Sequence, residues 1–370
     1  MDKKVISIFD RVGIKAGMDY YDMGLAKGLE NNDCKCTIYS NFDSKYSKKF
    51  YKILDNKGNL YKLFSHINST IKASRDAKKS NSKLVIIHLF NANFQTLLTI
   101  LIAKLFRLKV AVIAHDISSF INNDNSFIQN KIYNSLANYI IVHNRFSYNE
   151  LIPYIKEESI HKVSIFKHGG FLDFIDKNIS KEMARYKLGL DKDKKYILFF
   201  GQIKKVKGLD ILIEALSFVS DDIELIIAGK VFGDNFNNYD MLIKELGLRD
   251  RVVKMIRFIT NEERELLLFA SDVNVLPYKK IYQSGVLLIS MSHSLSVIAS
   301  DLESNRDIIE SGKNGLLFKS EDVKDLSSKI ELFFDKSNDR ERMSKEAYKT
   351  IRDDYSWSDI AKGYMKLIDE

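Results

Sequence analysis

At 370 residues, with 45% hydrophobic and 29% charged side chains, the chain is too long for one ordinary core and too apolar to stay unfolded. Two prolines and 17 glycines exclude a Pro-rich linker or a collagen-like array, and the two cysteines, Cys34 and Cys36, are too few for a disulfide framework. A net charge of +8 and a pI near 9.0 suit an anionic partner, for which nucleic acid, lipid headgroups and phosphorylated metabolites compete.

No secretory signal is expected, since Lys3-Lys4 runs straight into the strand candidate Val5–Phe9. Strand patterns follow at Cys36–Ser40, Leu84–His88, Val110–Ala114, Tyr139–Val142 and Val163–Lys167. Helical patterns lie between them around Tyr20–Glu30, Leu60–Lys79, Phe94–Phe106 and Phe127–Ala137. Continuous apolar strands such as Leu84-Val85-Ile86-Ile87 imply burial on both faces, as in a parallel sheet covered by helices. Cys34 and Cys36 are expected as buried or half-buried thiols of a reducing compartment. The longest apolar stretch, Leu97 to Phe106, is interrupted by Lys104 and is shorter than the roughly 20 residues a bilayer span needs.

After a stretch of weak periodicity at Asp173–Asp193, the alternation starts again. Strands are expected at Tyr196–Phe200, Ile223–Ala228, Arg251–Lys254, Val273–Leu276 and Ser296–Ala299, with helices at Leu209–Phe218, Asn238–Leu246, Asn261–Phe269 and Val286–His293. From Glu321 onward the pattern is helical, with Trp357 in the last segment. The expectation is therefore an α/β protein of two Rossmann-like domains, residues 1–180 and 181–355, whose parallel sheets face across a cleft, and a C-terminal helix, 356–370, packing back on the first domain.

Two segments carry the chemistry. In Phe199-Phe200-Gly201-Gln202-Ile203-Lys204-Lys205-Val206-Lys207-Gly208 a buried strand meets a glycine turn, three lysines and a helix start, the parts of a phosphate cradle. In Asn274-Val275-Leu276-Pro277-Tyr278 through Gln283-Ser284-Gly285-Val286 a second strand leads to a helix that Ser284 can cap, offering further amides to the same diphosphate.

These segments stand in an ordered series: Gly201 to Ala215, Leu225-Ile226-Ile227-Ala228-Gly229, Ala270-Ser271-Asp272-Val273, Pro277-Tyr278, Gln283-Ser284-Gly285-Val286, Ser296-Val297-Ile298-Ala299-Ser300 and Gly312-Lys313-Asn314-Gly315-Leu316-Leu317. The series resembles the donor domain of the retaining GT-B glycosyltransferases of glycosyltransferase family 4. The resemblance implies a nucleotide-sugar donor, UDP-, GDP- or similar, with no other cofactor and no metal. It implies donor contacts at Gly17, Gly201, Lys204, Lys207, Gln283, Ser284, Gly285 and Val286, with Arg257, Phe258 and Ile259 meeting the base. Many members carry two glutamates eight residues apart, in positions occupied here by Tyr282 and Ser290.

In the first half, Gly13 and Gly17 follow the first strand, and His115 and Asp116 follow the strand Val110–Ala114, where the family has a histidine close to the transferred sugar. These two are the catalytic candidates. His168-Gly169 resembles the family's His-Gly at the inter-domain crossing. His143 reads as structural or peripheral, and His66, His88, His161 and His293 have no supporting context. The Asp-X-Asp triplet Asp191-Lys192-Asp193 does not follow a buried strand, which disfavours a metal-held donor.

The expected activity is transfer of a sugar, with retention, to a glycan or lipid-linked acceptor in surface polysaccharide or glycoconjugate synthesis, by a cytoplasmic enzyme. An anionic membrane surface is a further expected partner, met by the Lys45–Lys52 run and the Phe94–Arg107 helix. Two other readings stay open: a glycosyltransferase-like partner subunit without catalysis, and a sugar-nucleotide epimerase. Nucleic acid is the weakest partner, for the basic residues form no stripe with interleaved aromatics.

Overall fold

The computed structural model describes residues 3–14, 17–54, 57–117, 126–335 and 337–369. The chain divides into two units, Met1–Gly169 with Tyr355–Glu370, and Gly170–Asp354.

In the first unit seven strands follow one another: β1 (Val5–Phe9), β2 (Lys35–Ser40), β3 (Ser47–Lys49), β4 (Leu84–Leu89), β5 (Val110–Ala114), β6 (Tyr139–Val142) and β7 (Val163–Ile165). They pair in parallel in the order β3-β2-β1-β4-β5-β6-β7. The apolar runs explain this arrangement, because β1, β4 and β5 are buried along their whole length. β3 is a three-residue edge, Ser-Lys-Lys, which no apolar alternation announces.

The second unit holds β8 (Lys195–Phe200), β9 (Ile223–Ala228), β10 (Val252–Met255), β11 (Val273–Leu276), β12 (Ser296–Ser300) and β13 (Leu316–Phe318), parallel in the order β10-β9-β8-β11-β12-β13. Both units are thus Rossmann-like. In each sheet the strand order reverses once, between β1 and β4 and between β8 and β11, and such a reversal leaves a ligand crevice at the strands' carboxyl ends.

The weakly periodic stretch before β8 contains a helix, Lys181–Leu188. Its apolar stripe is narrow: Ala184 and Leu188 pack against Leu266 and Ala270 in a small cluster of their own. The ends were signalled by caps, for the Ser180 side chain accepts from the Met183 amide and Gly189 closes the helix in a left-handed conformation. Arg185 and the Tyr196 amide both donate to Asp272, so the Asp272 carboxylate fastens this helix to the start of β8.

The first unit's core takes in the chain's last residues. Trp357, Ala361, Tyr364 and Leu367 are buried with Ile6, Ile8, Tyr21, Leu25, Cys34 and Cys36. The helix Trp357–Lys366 approaches Met18–Glu30 closely because Gly24 and Gly28 lack side chains. A Cβ at either would stand 2.2 Å from Trp357. Across the same contact the Tyr21 and Tyr364 hydroxyls are 3.0 Å apart. The thiols of Cys34 and Cys36 are free and buried.

Candidate functional site

In the second unit the reversal point lies between the ends of β8 and β11, and the basic turn sits there. β8 ends at Phe200, Gly201 turns with φ 119°, and a short 3-10 turn, Lys205–Lys207, leads through Gly208 (φ 65°) into the helix Leu209–Leu216. The loop after β11 is stitched to this turn. The Lys279 amide donates to the Val206 carbonyl at 2.9 Å, and Lys279 Nζ lies 2.7 Å from Asp210 Oδ2. Lys207 Nζ rests 3.7 Å above the ring of the buried Tyr278, and Lys204 Nζ 4.7 Å above that of Phe232.

The second helix start joins the same place. The Ser284 side chain accepts from the Leu287 amide at 3.1 Å and caps the helix Gly285–Ser292. The amides of Gly285 and Val286, in the first turn, have no intrahelical acceptor and carry the positive end of the helix dipole. Val286 approaches the turn directly, its Cγ2 3.5 Å from where a Gly201 Cβ would stand. Gly201, Lys204, Lys207, Ser284, Gly285 and Val286 therefore converge on one sheet edge, in an arrangement able to stabilise a doubly charged phosphate group. Gln283 precedes the cap.

Arg257, Phe258 and Ile259 follow β10, two strands from β8 and so roughly 10 Å along the same edge. Phe258 is exposed, while the Arg257 guanidinium forms a bidentate pair with Glu263, at 2.8 and 2.5 Å. The side chains at the two glutamate positions face inward: Tyr282 and Ser290 are both buried. Ser290 Oγ donates to the Val286 carbonyl at 2.8 Å and accepts from Asn274 Nδ2 at 2.7 Å.

In the first unit, Gly17 (φ 73°) begins the helix Met18–Glu30 after β1, and His115 and Asp116 follow β5. β4 lies between those strands, and it contributes a residue the sequence reading passed over. His88, near the end of β4, places Nδ1 2.8 Å from His115 Nε2 and Nε2 2.8 Å from Asp22 Oδ1. His143 follows β6 and His168 lies just past β7, so four histidines stand at the carboxyl ends of four adjacent strands, rather than one candidate with unrelated neighbours. Tyr21 lies within 4.8 to 5.7 Å of all four rings. The available signal was a histidine recurring at or just past the ends of four consecutive strands, β4 to β7.

Burial sets the charge state of this cluster. It holds His88 at about 4, His143 at about 3 and His168 at about 4, and pushes His115 well below the usual imidazole range, with the neighbouring histidines adding to the effect. Asp10, which follows β1, is raised to about 7 by burial and by Asp22, and burial raises Asp22 well above the carboxylate range. Asp10 also shapes the loop leading to Gly17, its two oxygens accepting the Val12 and Gly13 amides at 2.7 Å. A recess beside β1 and β4 is lined by Arg11, Tyr51, His66, His88, Phe90 and Thr96, among others. Among the described residues no group of three or more His, Cys, Asp or Glu is placed to hold a metal ion.

Comparison with known proteins agrees with this architecture. Spore coat protein SA of Bacillus subtilis (strain 168) is 29% identical over 204 residues, 52% of this chain and 52% of that protein. Alpha-D-kanosaminyltransferase of Streptomyces kanamyceticus is 27% identical over 193 residues, 51% of this chain and 49% of that one. The chain thus spans about half the length of the curated relatives it matches. Among solved structures, the sucrose-phosphate synthase of Thermosynechococcus elongatus superposes with a TM-score of 0.77 at 17% identity, covering 99% of this chain and 98% of the other. Anabaena HepE, solved in complex with UDP-glucose, does so with a TM-score of 0.77 at 16% identity, covering 99% of each chain. At those identities the likeness is one of fold, two Rossmann-like units of the GT-B class. Residues 180–350, most of the second unit, are similar to the family described as Glycosyl transferases group 1.

Proposed function

We propose that the chain transfers a sugar, with retention, from a nucleotide-diphosphate sugar to a glycan or lipid-linked acceptor in surface polysaccharide or glycoconjugate synthesis. The observation that carries this reading is the convergence of the lysine turn and the Ser284-capped helix on the β8–β11 reversal point. Breaking the sugar–phosphate bond leaves negative charge on the departing diphosphate. Lys204, Lys207 and the amides of Gly285 and Val286 stabilise it, with no metal required. The acceptor oxygen bonds to the anomeric carbon on the face the diphosphate leaves, and its proton passes to a departing phosphate oxygen. Arg257, Phe258 and Ile259 border the base, and the donor is a UDP-, GDP- or similar nucleotide sugar. The family match over residues 180–350, the named glycosyltransferase among the relatives and the UDP-glucose complex of HepE support it.

The first unit serves the acceptor, with Gly17 in its phosphate-side loop and His115 and Asp116 acting beside the transferred sugar. No helix among the described residues is long and apolar enough to cross a membrane. The membrane contact of this reading is peripheral, on the cytoplasmic face, through the Lys45–Lys52 run and the Phe94–Arg107 segment with its exposed Leu105, beside the exposed Leu60 and Phe64.

Thermal denaturation of the purified chain against a panel of nucleotide sugars, followed by turnover assays with the stabilising donor, tests the assignment. Stabilisation by one nucleotide class and release of its diphosphate are expected. No stabilisation by any member would overturn it. A second reading, a donor-binding subunit without catalysis, draws on Tyr282 and the hydrogen-bonded Ser290 in place of the two glutamates. Binding without turnover, in the presence of glycan and lipid-linked acceptors, would favour that reading.

A further inference from the structure

Two consecutive residues of the loop after β11 hold the lysine turn, and they do so by different chemistry. Lys279 binds it through the amide on the Val206 carbonyl and through the ammonium on Asp210, 2.7 Å from Oδ2. Tyr278 lays its ring beneath Lys207, with Nζ 3.7 Å from the centroid. The first contact joins opposite charges; the second joins a charge to a neutral surface.

That difference separates the lysines by what each can do for an anion. Asp210 largely offsets the charge of Lys279, so this pair ties the loop to the helix Leu209–Leu216. A ring face attracts an ammonium through its quadrupole and leaves the positive charge whole. An ammonium has three N–H groups, and a ring on one side leaves others able to donate elsewhere. Lys204 also stands on a ring, 4.7 Å above Phe232. Phe232, however, is 49% exposed, whereas Tyr278 is 1% exposed and has its plane set by close-packed neighbours. Burial pushes the Tyr278 phenol above its ordinary range, with the Ser284 hydroxyl acting the other way, so the ring stays uncharged. One side chain thereby reaches both halves of the site, Lys207 with its face and the helix cap Ser284 with its hydroxyl end.

We propose that Tyr278 is a positioning residue for the donor diphosphate: its buried ring holds the Lys207 ammonium at the mouth of the turn without cancelling its charge. This rests on the reading that the lysine turn takes a nucleotide-diphosphate sugar. Tyr278 acts there through Lys207, and the ring face is the part of it that matters. A long, flexible lysine side chain loses conformational freedom when it binds a phosphate. A ring that holds the ammonium in place beforehand reduces that loss and so tightens binding.

Two measurements on the full chain test it, and the first needs no ligand. In the chain labelled with carbon-13 lysine, the ε-methylene protons of Lys207 are assigned by their loss in Lys207→Arg. The ring current of Tyr278 should shift them upfield, and the shift should vanish in Tyr278→Leu. Unshifted protons would overturn the inference whatever the chain binds. The second is calorimetry with UDP and GDP on the cycle of Tyr278→Leu and Lys207→Met. With Lys207 present, Tyr278→Leu should weaken the nucleotide that binds roughly 3- to 30-fold, the range of a cation–ring contact. In the Lys207→Met chain the same change should cost little more, and Tyr278→Phe, which keeps a ring face, should retain most of the affinity. An equal loss with and without Lys207 would mean that Tyr278 only fills the core, and would overturn the positioning role while the donor site stands. If neither UDP nor GDP binds while the upfield shift is present, the donor reading itself fails, and the role in binding falls with it.

Discussion

A Cβ built on Gly208 would stand 1.9 Å from the carbonyl oxygen of Pro277, so the basic turn and the loop after β11 touch backbone to backbone. Gly208 also has φ 65°, a conformation that costs an L side chain about 1 kcal/mol or more. Gly233 has the same φ but nothing within 4 Å of its Cβ. Gly233→Ala should therefore lower stability in urea by about 1 kcal/mol, and Gly208→Ala by several times that, with loss of nucleotide binding. Equal costs for the two would show that the loops do not meet as described.

Lys207 holds its ammonium above Tyr278 at the mouth of the turn. Lys207→Ala should weaken a nucleoside diphosphate by roughly 10- to 100-fold, the worth of about 1.5–3 kcal/mol for a hydrogen bond to a charged group. Titration calorimetry measures it, and the lost affinity should shrink as salt is raised. Unchanged affinity would remove the lysine turn from the donor site.

The buried histidines make stability depend on pH. Unfolded, these rings bind protons below 6.5; folded, His88 and His168 do so only near 4 and His143 near 3. The unfolded state then holds more protons, so stability falls as pH drops from 6.5 toward 4, by about 1.4 kcal/mol per pH unit for each ring. Asp10 acts in the opposite sense. Its folded value of about 7 against 3.8 unfolded makes its share of stability fall as pH rises through 7. With the histidines more numerous, urea midpoints should peak between pH 6 and 7 and drop steeply on the acid side. A flat profile from pH 4.5 to 6.5 would contradict the neutral cluster.

Trp357 is the chain's one tryptophan and reports on the closing helix. Gly28→Ala places a Cβ 2.2 Å from the Trp357 carbonyl oxygen, whereas Gly58 has nothing within 4 Å. Gly28→Ala should shift tryptophan emission to the red and lower Tm, and Gly58→Ala should do neither. Identical spectra for both would mean that the helix does not seat on Gly28.

Leu60, Phe64 and Leu105 are 73%, 68% and 81% exposed on two helices that pack against each other. Sedimentation with vesicles containing anionic lipid should carry the chain down, less so at high salt or after replacement of all three by Ser. Binding indifferent to both changes would place any membrane contact elsewhere.

What the sequence made legible follows local chemistry. The strand Tyr196–Phe200, the glycine at each end of the lysine turn and the Ser284 cap depend on neighbours in the chain, and all stand where periodicity and capping put them. The helix Lys181–Leu188 stayed hidden because only a small satellite cluster receives it, and β3 because two of its three residues are lysines. His88 was passed over for a different reason. It lies 27 residues from His115 and 66 from Asp22, and only the strand order together with the packing of the helix Met18–Glu30 brings the three together. Side-chain periodicity reports which face a residue takes, not which strand lies beside it.

The closing helix also bears on how the chain is made. A ribosome delivers Tyr21, Gly24 and Gly28 first, and Trp357 and Tyr364 only after all of Gly170–Asp354 has been synthesised. At about 5–20 residues per second that interval is roughly 10–40 s. During it the first unit's nascent core shows an open apolar face, a natural docking place for chaperones until translation supplies the final turn.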